Sequence, residues 1–301
     1  MSTREEIKFI ERSKIDDGKW NSIVSASPDY RIYATTAWLD GMHQGWSALV
    51  LGDYEAVMPL TARRKCGIKY LAQPGFTQQL GVFANFKVNP GLIDVFLNLA
   101  RKKFPFAEIR VNAPSLTLGY QTYKNYELSL TPDYQSISGN YSPVLKRNLN
   151  LAKKFKLTIS ESRDCDFALD LYYQQYHSRL PLKKNEIRYL KNLLKNLPGN
   201  YLVKQAWSKE KLLATSLFVK DRYRIYNLAS VTSQEGRKAQ ASHFLYDQLI
   251  LEHAQQNLIL DFEGSNVPGI EKFYMRFGAS LHPYYFVRWN DLPWPIKLLK
   301  R

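Results

Sequence analysis

Three strand-like runs joined by turns of two or three residues constrain the fold of this chain more than any other feature. The runs are YLVKQAWS (201–208), LLATSLFVK (212–220) and YRIYNLASV (223–231), and their β-branched and aromatic residues are typical of strands. Only Lys209-Glu210-Lys211 and Asp221-Arg222 separate them, with the first turn at Lys209-Glu210. Because turns this short join neighbouring antiparallel strands, the three runs predict an antiparallel meander.

Helices and further strands surround the meander in a definite order. A strand and two helices precede it, and a helix, a strand, a short helix and a last strand follow, as apolar periodicity and cap residues indicate. The predicted bounds are 157–163, 164–180 and 185–197 before the meander, and 241–256, 258–264, 268–279 and 281–289 after it. This is the element order of the GNAT acyltransferases, so we interpret residues 134–301 as a GNAT-like α+β domain.

The first half of the chain repeats this order loosely. Its elements are predicted at 6–13, 17–26, 36–44, 46–53, 54–64, 68–75, 90–104, 106–114 and 123–130. The short helix before the last strand is missing, and the repeat rests on element order alone. The sequence therefore predicts an α+β fold of two tandem GNAT-like domains, each a mixed sheet flanked by helices. The bounds are 1–133 for a degenerate domain and 134–301 for the second, with a linker at 133–141.

Basic residues are concentrated in the second of these domains. Residues 1–133 hold 16 basic and 13 acidic residues, whereas residues 134–301 hold 26 and 14. A basic half indicates an anionic partner, such as CoA, tRNA, a nucleotide-linked precursor or an acidic membrane surface. A solvated basic surface without a partner is the equal alternative.

Neither end of the sequence has the pattern of a targeting or spanning segment. The start, MSTREEIKFIERSK, is charged throughout, and no apolar run in the chain reaches the roughly 20 residues that span a bilayer. Two cysteines without CxxC spacing support neither a zinc site nor a disulfide framework. We expect a cytoplasmic protein. Its apolar and basic tail, LPWPIKLLKR, could touch the inner face of the membrane, although a packed tail is the simpler reading.

Several strings resemble the Fem-type (FemABX-like) branch of the GNAT superfamily. SPVLKRNLNLAKKFKLTI (142–159) resembles the R-N-x-x-x-A-K-K helix that opens its second domain. DFEGSNVPGIEKFYMRFGA (261–279) resembles its D-F-x-G-S to F-G-A segment. In the first half, TTAWLDGM (35–42) and YLAQPGFTQQLGVF (70–83) resemble its N-terminal helix and its Gly-rich strand pair more weakly.

This resemblance implies two tandem domains that transfer an acyl or aminoacyl group to an amine, with acyl-CoA or aminoacyl-tRNA as donor. The best-known members add amino acids to a peptidoglycan precursor. Two departures leave acceptor and donor open. Phe273-Tyr274 stands where those members have Phe-Lys, and the stretch at 234–239 lacks the glycines of the Q/R-x-x-G-x-G/A donor loop, whose N–H groups hold a pyrophosphate.

Three residues are candidates for catalysis. Asp261 and Glu263 end a buried strand, where alternation places them on one face, and either carboxylate could act as general base for the amine. The structural alternative is that one of them caps the next helix or pairs with an arginine. Tyr226 on the central strand could protonate the leaving group, although core packing is the simpler role for it.

The remaining candidates would bind the substrates. Arg147 and Lys153 on the polar side of the predicted 143–155 helix could hold phosphates, or they form a solvated basic face. Ser242 and His243 open a helix whose N–H groups are free for an anion, although a lone His is more often structural. The other candidates are Tyr176, Arg179, Ser230, which would share a face with Tyr226, Ser265 and Tyr274, which replaces the family's Lys.

These residues support an N-acyltransferase that needs no metal and no tightly bound cofactor, because positioning, proton removal and oxyanion stabilisation suffice for such chemistry. The alternative is a non-catalytic GNAT-like protein that binds an anionic ligand, tRNA or a membrane surface. A third hypothesis is aminoacyl transfer to a lipid, which the basic apolar tail suggests.

Overall fold

The helices and strands of the computed structural model, which describes residues 6–180, 183–197, 199–264, 266–295 and 297, largely follow the predicted order. In the first part of the chain they are β1 (Ile7–Glu11), α1 (Asp17–Ala26), α2 (Thr36–Met42), β2 (Ser47–Leu51), β3 (Ala56–Leu60), β4 (Ala62–Lys65), β5 (Ile68–Ala72), β6 (Phe83–Ala84), α3 (Pro90–Lys103), β7 (Phe106–Val111), β8 (Tyr120–Tyr123) and β9 (Tyr126–Ser129). In the second part they are α4 (Tyr134–Gly139), α5 (Pro143–Lys153), β10 (Thr158–Ser162), α6 (Cys165–Tyr176), α7 (Lys184–Lys195), β11 (Tyr201–Ser208), β12 (Lys211–Lys220), β13 (Arg224–Thr232), α8 (Gln234–Lys238), α9 (Ala241–His253), β14 (Ile259–Asp261), α10 (Pro268–Met275), β15 (Ser280–Leu281) and β16 (Tyr284–Asn290).

Side-chain caps begin helices at the positions that the sequence indicates. Ser142 Oγ accepts a hydrogen bond from the N–H of Leu145 at 3.2 Å, and Asp164 Oδ1 accepts one from the N–H of Phe167 at 2.9 Å. Each cap satisfies an N–H group that the first turn of a helix leaves unpaired. The predicted starts of α5 and α6 are therefore confirmed.

The predicted meander lies within a seven-stranded sheet in the order β10-β11-β12-β13-β14-β9-β15. β11, β12 and β13 pair antiparallel, whereas β13 and β14 pair parallel, so the sheet is mixed. Buried residues of α5, α9 and α10, such as Leu145, Leu249 and Tyr274, belong to the core that covers it. These elements form one compact unit, residues 124–282.

The other compact unit, residues 1–123 with 283–301, contains two smaller sheets. Their strand orders are β1-β2-β3-β6 and β4-β5-β7-β16-β8. Phe96 and Leu97 of α3 are fully buried in a core with Met58 and Val111. Helix, strand and meander therefore recur in this unit as the element order predicts.

The last strand predicted for each half pairs elsewhere, and this moves the domain boundary from 133/134 to 123/124. β16 lies between β7 and β8, with Val287 opposite Ile109 on one side and Tyr120 on the other, so it belongs to the first unit. The predicted strand at 123–130 divides into β8 and β9, and β9 pairs with β14 and β15 in the second unit. Alternating apolar residues identify a strand and its buried face, but they do not specify the sheet that it joins.

Two segments predicted as irregular are helical. The predicted linker at 133–141 contains α4, in which Asp133 Oδ1 accepts the N–H of Ser136 at 2.7 Å and Ile137 is buried. The polar loop before α9 contains α8, where Ser233 Oγ accepts the N–H of Gly236 at 2.9 Å. In both cases an Asp or Ser cap outweighs a composition typical of loops.

Part of the predicted tail, Ile296 and residues 298–301, lies outside the described residues, so its contact with a membrane stays a prediction. Among the helices that are described, none is both long and apolar enough to cross a bilayer.

Candidate functional site

The second unit contains a gap in its sheet where two parallel strands separate. β13 and β14 are paired at Arg224↔Ile259, Ile225↔Leu260 and Tyr226↔Asp261, at the beginning of β13. β14 then ends, and the N–H of Phe262 donates to the carbonyl of Tyr126 on β9 at 3.0 Å. Residues 227–232 of β13 therefore continue without β14 beside them. Ligands of sheets with parallel strands bind beyond the carboxyl ends of such strands.

A β-bulge lies on β13 directly after the last pair with β14. Phe218 of β12 is opposite Asn227, whereas Leu217 is opposite Ala229, so Leu228 is the extra residue of the bulge. Its N–H and C=O groups are outside the regular β12–β13 ladder. Bulges redirect side chains and are frequent next to active sites.

The bulge changes which side chains of β13 share a face. Ser230 pairs with Ser216, and Asn227 with Phe218, two residues further along β12. Since alternate residues of β12 share a face, Asn227 and Ser230 lie on the same face. The expectation that Tyr226 shares a face with Ser230 is therefore wrong. Tyr226 is fully buried.

A hydrogen-bonded group of side chains lies on the Ser230 face. Ser230 Oγ is 2.8 Å from Asn227 Oδ1, 2.9 Å from Ser216 Oγ and 2.9 Å from the hydroxyl of Tyr246 on α9. Burial raises the pKa of Tyr246 far above its ordinary value, while hydrogen bonds from the two serines partly offset this rise. The phenol is thus neutral, and the network fixes α9 against the bulged strand.

Asp261 has a structural role in this arrangement. Its carboxylate lies 3.4 Å from the guanidinium of Arg224, and it accepts the N–H of Glu263 at 3.0 Å. Asp261 is fully buried, and Arg224 also forms an ion pair with Glu127 at 2.9 Å. Pairing with an arginine is the alternative that the sequence left open for a carboxylate here. The structure shows this pairing, which favours the structural role for Asp261.

Glu263 follows the end of β14 in a different conformation. Its φ is +63°, in the left-handed region that a residue with a side chain seldom adopts. The expected strand alternation between Asp261 and Glu263 therefore does not hold, because β14 stops at Asp261. Gly264 also has a φ of +63°, and a Cβ there would lie 2.2 Å from the carbonyl oxygen of Lys124. Backbone strain of this kind is concentrated at functional sites.

Tyr274 lies close to Glu263. It is buried, and its ring centroid is 4.6 Å from that of Phe262. Burial raises the pKa of Tyr274 well above its ordinary value, and nearby groups, Glu263 included, raise it further. A hydrogen bond with Asn227 lowers it slightly. The hydroxyl therefore stays neutral at neutral pH, and it is hydrogen-bonded to Asn227 on the polar face of β13.

Two tyrosines of α6 approach the same place. Burial is the main cause of the raised pKa values of Tyr274 and Tyr246. Tyr172 is close enough to Tyr274 to raise its pKa further, and Tyr176 has the same effect on Tyr246. The rings of Tyr172 and Tyr176 are 5.0 Å apart. The predicted candidate Tyr176 thus belongs to this group. Arg179 lies exposed three residues beyond it.

His243 is packed among aromatic side chains at the start of α9. Its ring centroid is 4.7 Å from that of Phe273, and its Nε2 atom has no hydrogen-bond partner. Burial, followed by the charge of Arg276, lowers the pKa of His243 to about 4. His243 is therefore a neutral side chain of the core. Ser242 next to it forms a hydrogen bond with the hydroxyl of Thr232.

The segment between β13 and α9 is held against β12 by a glycine. A Cβ at Gly236 would lie 2.1 Å from the carbonyl oxygen of Leu213, so only glycine allows this approach of α8 to β12. Gln240 then adopts a φ of +58°, and α9 starts without a side-chain cap. The first-turn N–H groups of α9 therefore remain without a side-chain acceptor.

The predicted anion-binding residues of α5 lie on an exposed surface. Arg147 and Lys153 are both exposed, and among the described residues neither forms an ion pair. The structure does not bring them into the group around Ser230 and Glu263. Ser265, another candidate, lies outside the described residues.

In the first unit, the chain itself fills the place that corresponds to the gap between β13 and β14. After β5, the N–H of Gln73 donates to the carbonyl of Glu108 at 3.3 Å, and the N–H of Leu80 donates to that of Arg110 at 2.9 Å. Asn112 Nδ2 then donates to the carbonyl of Val82 at 2.6 Å. Residues 73–82 therefore occupy the edge of β7. This leaves the second unit as the candidate for donor binding.

The structure thus brings together four of the predicted residues: Glu263, Tyr274, Ser230 and Tyr176. Four further residues, which the sequence did not indicate, lie with them: Asn227, Ser216, Tyr172 and Tyr246. Tyr246 and Tyr172 lie within predicted helices, where a tyrosine gives no sign of its position in the site. Asn227 joins the site through the bulge, which no residue pattern in 223–231 indicates. In the part of the chain that the structure describes, no three metal-ligating side chains come together.

Comparison with known proteins gives no sequence relative: no family model and no curated protein matches. Solved structures do match over most of the chain. A crystal structure of FemX has a TM-score of 0.64 at 13% identity and covers 97% of this chain and 99% of its own. The C-terminal domain of a putative lysylphosphatidylglycerol synthetase from Agrobacterium fabrum has a TM-score of 0.56 at 13% identity, over 94% of both chains. A tandem GNAT protein from the clavulanic acid pathway has a TM-score of 0.52 at 12% identity, over 96% and 99%.

These likenesses confirm the predicted fold. The protein consists of two GNAT-like units in tandem, each with helices and mixed sheet, and its fold is that of the FemX and tandem GNAT structures. At 12–13% identity the likeness concerns the fold, and the reaction has to be argued from the site.

Proposed function

We propose that the protein is an N-acyltransferase whose second unit transfers an acyl or aminoacyl group from an ester or thioester donor to an amine. One observation carries the proposal. The bulged part of β13, residues 227–232, lacks a neighbouring strand on the β14 side, and Glu263 and Tyr274 lie beside it. A donor held along this strand would place its carbonyl next to one acid and one neutral phenol.

The chemistry follows from the states of these two groups. An amine attacks the donor carbonyl and forms a C–N bond, and the C–O or C–S bond to the carrier breaks. Glu263 accepts the proton that the amine loses, and Tyr274, which stays protonated at neutral pH, donates a proton to the leaving oxygen or sulfur. Backbone N–H groups at the Leu228 bulge stabilise the oxyanion.

The N-terminus of α9 supports an anionic donor. Its uncapped first-turn N–H groups carry the positive end of the helix dipole. Two of the similar structures are described as a lysylphosphatidylglycerol synthetase domain and as a tandem GNAT protein without AcCoA. Aminoacyl-tRNA and acyl-CoA are therefore both tested as donors.

A non-catalytic binding protein is the second candidate. Phe262 and Phe277 are fully buried, and their ring centroids are 6.0 Å apart in an aromatic group that includes Tyr246 and Phe273. This aromatic group belongs to the core of the unit, and the binding function requires that it leave no room for a donor in the gap.

Donor turnover separates these two functions. The protein is incubated with mixed aminoacyl-tRNA or with a panel of acyl-CoA thioesters and primary amines, and the products are identified by mass spectrometry. We expect transfer with one donor class, a loss of kcat of roughly 100-fold in Glu263→Gln, and a smaller loss in Tyr274→Phe. The matched control Glu210→Gln, in the exposed hairpin turn, should behave as wild type. If a donor binds but no product forms with any amine, the binding function is favoured.

A further inference from the structure

Helix α5 and the residues after it have a second apolar face in addition to the one that packs on the core. Leu145 and Ala152 are buried in the second unit. Val144, Leu151 and Phe155 are 36%, 36% and 40% exposed. Val144 and Leu151, which are seven residues apart, lie above one another on α5, and Phe155 extends this apolar stripe two residues past the end of the helix. We call it the α5 stripe.

Basic residues surround the α5 stripe, and acidic residues are absent from residues 142–160. Arg147 and Lys154 flank the stripe at helical spacing, and Lys146, Lys153 and Lys156 complete a group of five positive charges. None of the five forms an ion pair with any residue that the structure describes, although Lys146 Nζ donates to the carbonyl of Gly139 at 2.9 Å. Their charge is therefore available to an external anion.

The neighbouring hairpin turn, Lys209-Glu210, lies next to this basic surface. The hydroxyl of Ser208 donates to the carbonyl of Phe155 at 3.3 Å, which fixes the β11–β12 turn next to the end of α5. Lys209 occupies that turn with a φ of +54° and is exposed. Apolar and basic groups thus lie together on one side of the second unit.

We propose that the α5 stripe and the basic residues around it dock the protein on an anionic lipid surface. Amphipathic helices with Leu and Phe on one side and Lys or Arg beside them lie in the boundary between headgroups and acyl chains. The lysines contact anionic headgroups, and the stripe enters the acyl region. Nucleic acid would use the same charges, but it offers no partner for aliphatic side chains such as Val144 and Leu151. The inference is independent of acyl transfer.

Vesicle flotation of the full protein tests the proposal. We expect the wild type to float with vesicles of phosphatidylcholine and phosphatidylglycerol, to stay behind with phosphatidylcholine alone, and to bind less as salt increases. Leu151→Asn and the double variant Arg147→Glu, Lys154→Glu should each bind at least roughly tenfold more weakly. Circular dichroism melting shows whether each variant is folded.

Matched controls exist on α3 and before it. Val95→Asn changes an apolar side chain that is 49% exposed on a helix of the first unit, and Lys87→Glu with Lys102→Glu reverses the same charge at exposed positions. Both controls should float as wild type does. The proposal is overturned if the wild type fails to float with anionic vesicles at low salt. It is also overturned if Leu151→Asn binds normally while the charge reversal abolishes binding, because that outcome describes a general polyanion site.

Discussion

The guanidinium of Arg224 lies 2.9 Å from the carboxylate of Glu127, and this ion pair joins β13 to β9, which is two places away in the sheet. Asp261 on the strand between them is 3.4 Å from the same guanidinium. All three side chains are at most 9% exposed. One cation thus holds two buried carboxylates at the point where β13 and β14 begin to separate.

Arg224→Met should destabilise the second unit by roughly 3–5 kcal/mol, because removing one partner leaves buried carboxylates without compensation. Urea unfolding followed by circular dichroism measures this change. The control is Arg101→Met, whose pair with Asp291 is about two-fifths exposed on both sides and should contribute about 0–1 kcal/mol. Equal effects of the two substitutions would show that burial of the Arg224 pair has no energetic consequence.

Glu263→Gln should lower kcat by roughly 100-fold and leave the unfolding midpoint almost unchanged. The amide keeps the size of the side chain and removes the proton acceptor, and Glu263 is partly exposed. Steady-state kinetics with the donor identified by mass spectrometry measures the change. Unaltered kcat would exclude Glu263 as the base.

His243 should make the protein less stable in mild acid. Its pKa is about 4 in the folded chain, against 6.5 ordinarily, because the ring is buried. Between these values the unfolded chain binds more protons than the folded one, so the free energy of unfolding falls as the pH falls through this window. Above pH 6.5 the ring is neutral in both states and does not lower the free energy of unfolding. Near pH 4 the decrease in that free energy approaches about 3 kcal/mol.

His243→Phe should remove this dependence, since a phenyl ring fits among Phe273 and Phe277 and does not titrate. Unfolding free energies of the wild type and the variant, measured from pH 4 to 7, give the difference. Parallel curves would mean that His243 is not the group responsible.

Gly236→Ala should weaken donor binding and destabilise the second unit by more than about 1 kcal/mol, because its Cβ would overlap the carbonyl of Leu213. Relieving that overlap moves α8 and the start of α9. Thermal melting and donor titration measure both effects. Gly269→Ala on α10 is the control: its Cβ meets nothing within 4 Å, so a neutral or slightly stabilising effect is expected.

Sequence patterns predicted the fold well and the site incompletely. Apolar periodicity and caps such as Ser142 and Asp164 identify helices and strands from local residues, and the element order then determines the class. Glu263 was singled out at a strand end, Ser230 on the central strand and Tyr274 as the replacement of the family's Lys, and their roles stay predictions. The arginine that pairs with Asp261 could not be identified, because Arg224 is distant in sequence and no local pattern shows an ion pair between strands.

The features that were not predicted depend on contacts across the sheet. The bulge at Leu228 exists because β13 has one more residue than β12 between the pairs Leu217↔Ala229 and Phe218↔Asn227. It places Tyr226 and Ser230 on opposite faces of the strand. Similarly, 281–289 has the pattern of a strand, but only packing determines that β16 pairs with β7 and β8.

The position of β16 also has a consequence for the time at which the protein can fold. A ribosome produces β7 and β8 early, yet the strand that lies between them is made only after the whole of residues 124–282. The N-terminal unit therefore cannot complete its sheet, and the edge of β7 stays open, until the C-terminal unit has been synthesised. Translation order and folding order are thus reversed for these two units, and a nascent chain stalled before Tyr284 should hold a finished second unit beside an unfinished first one.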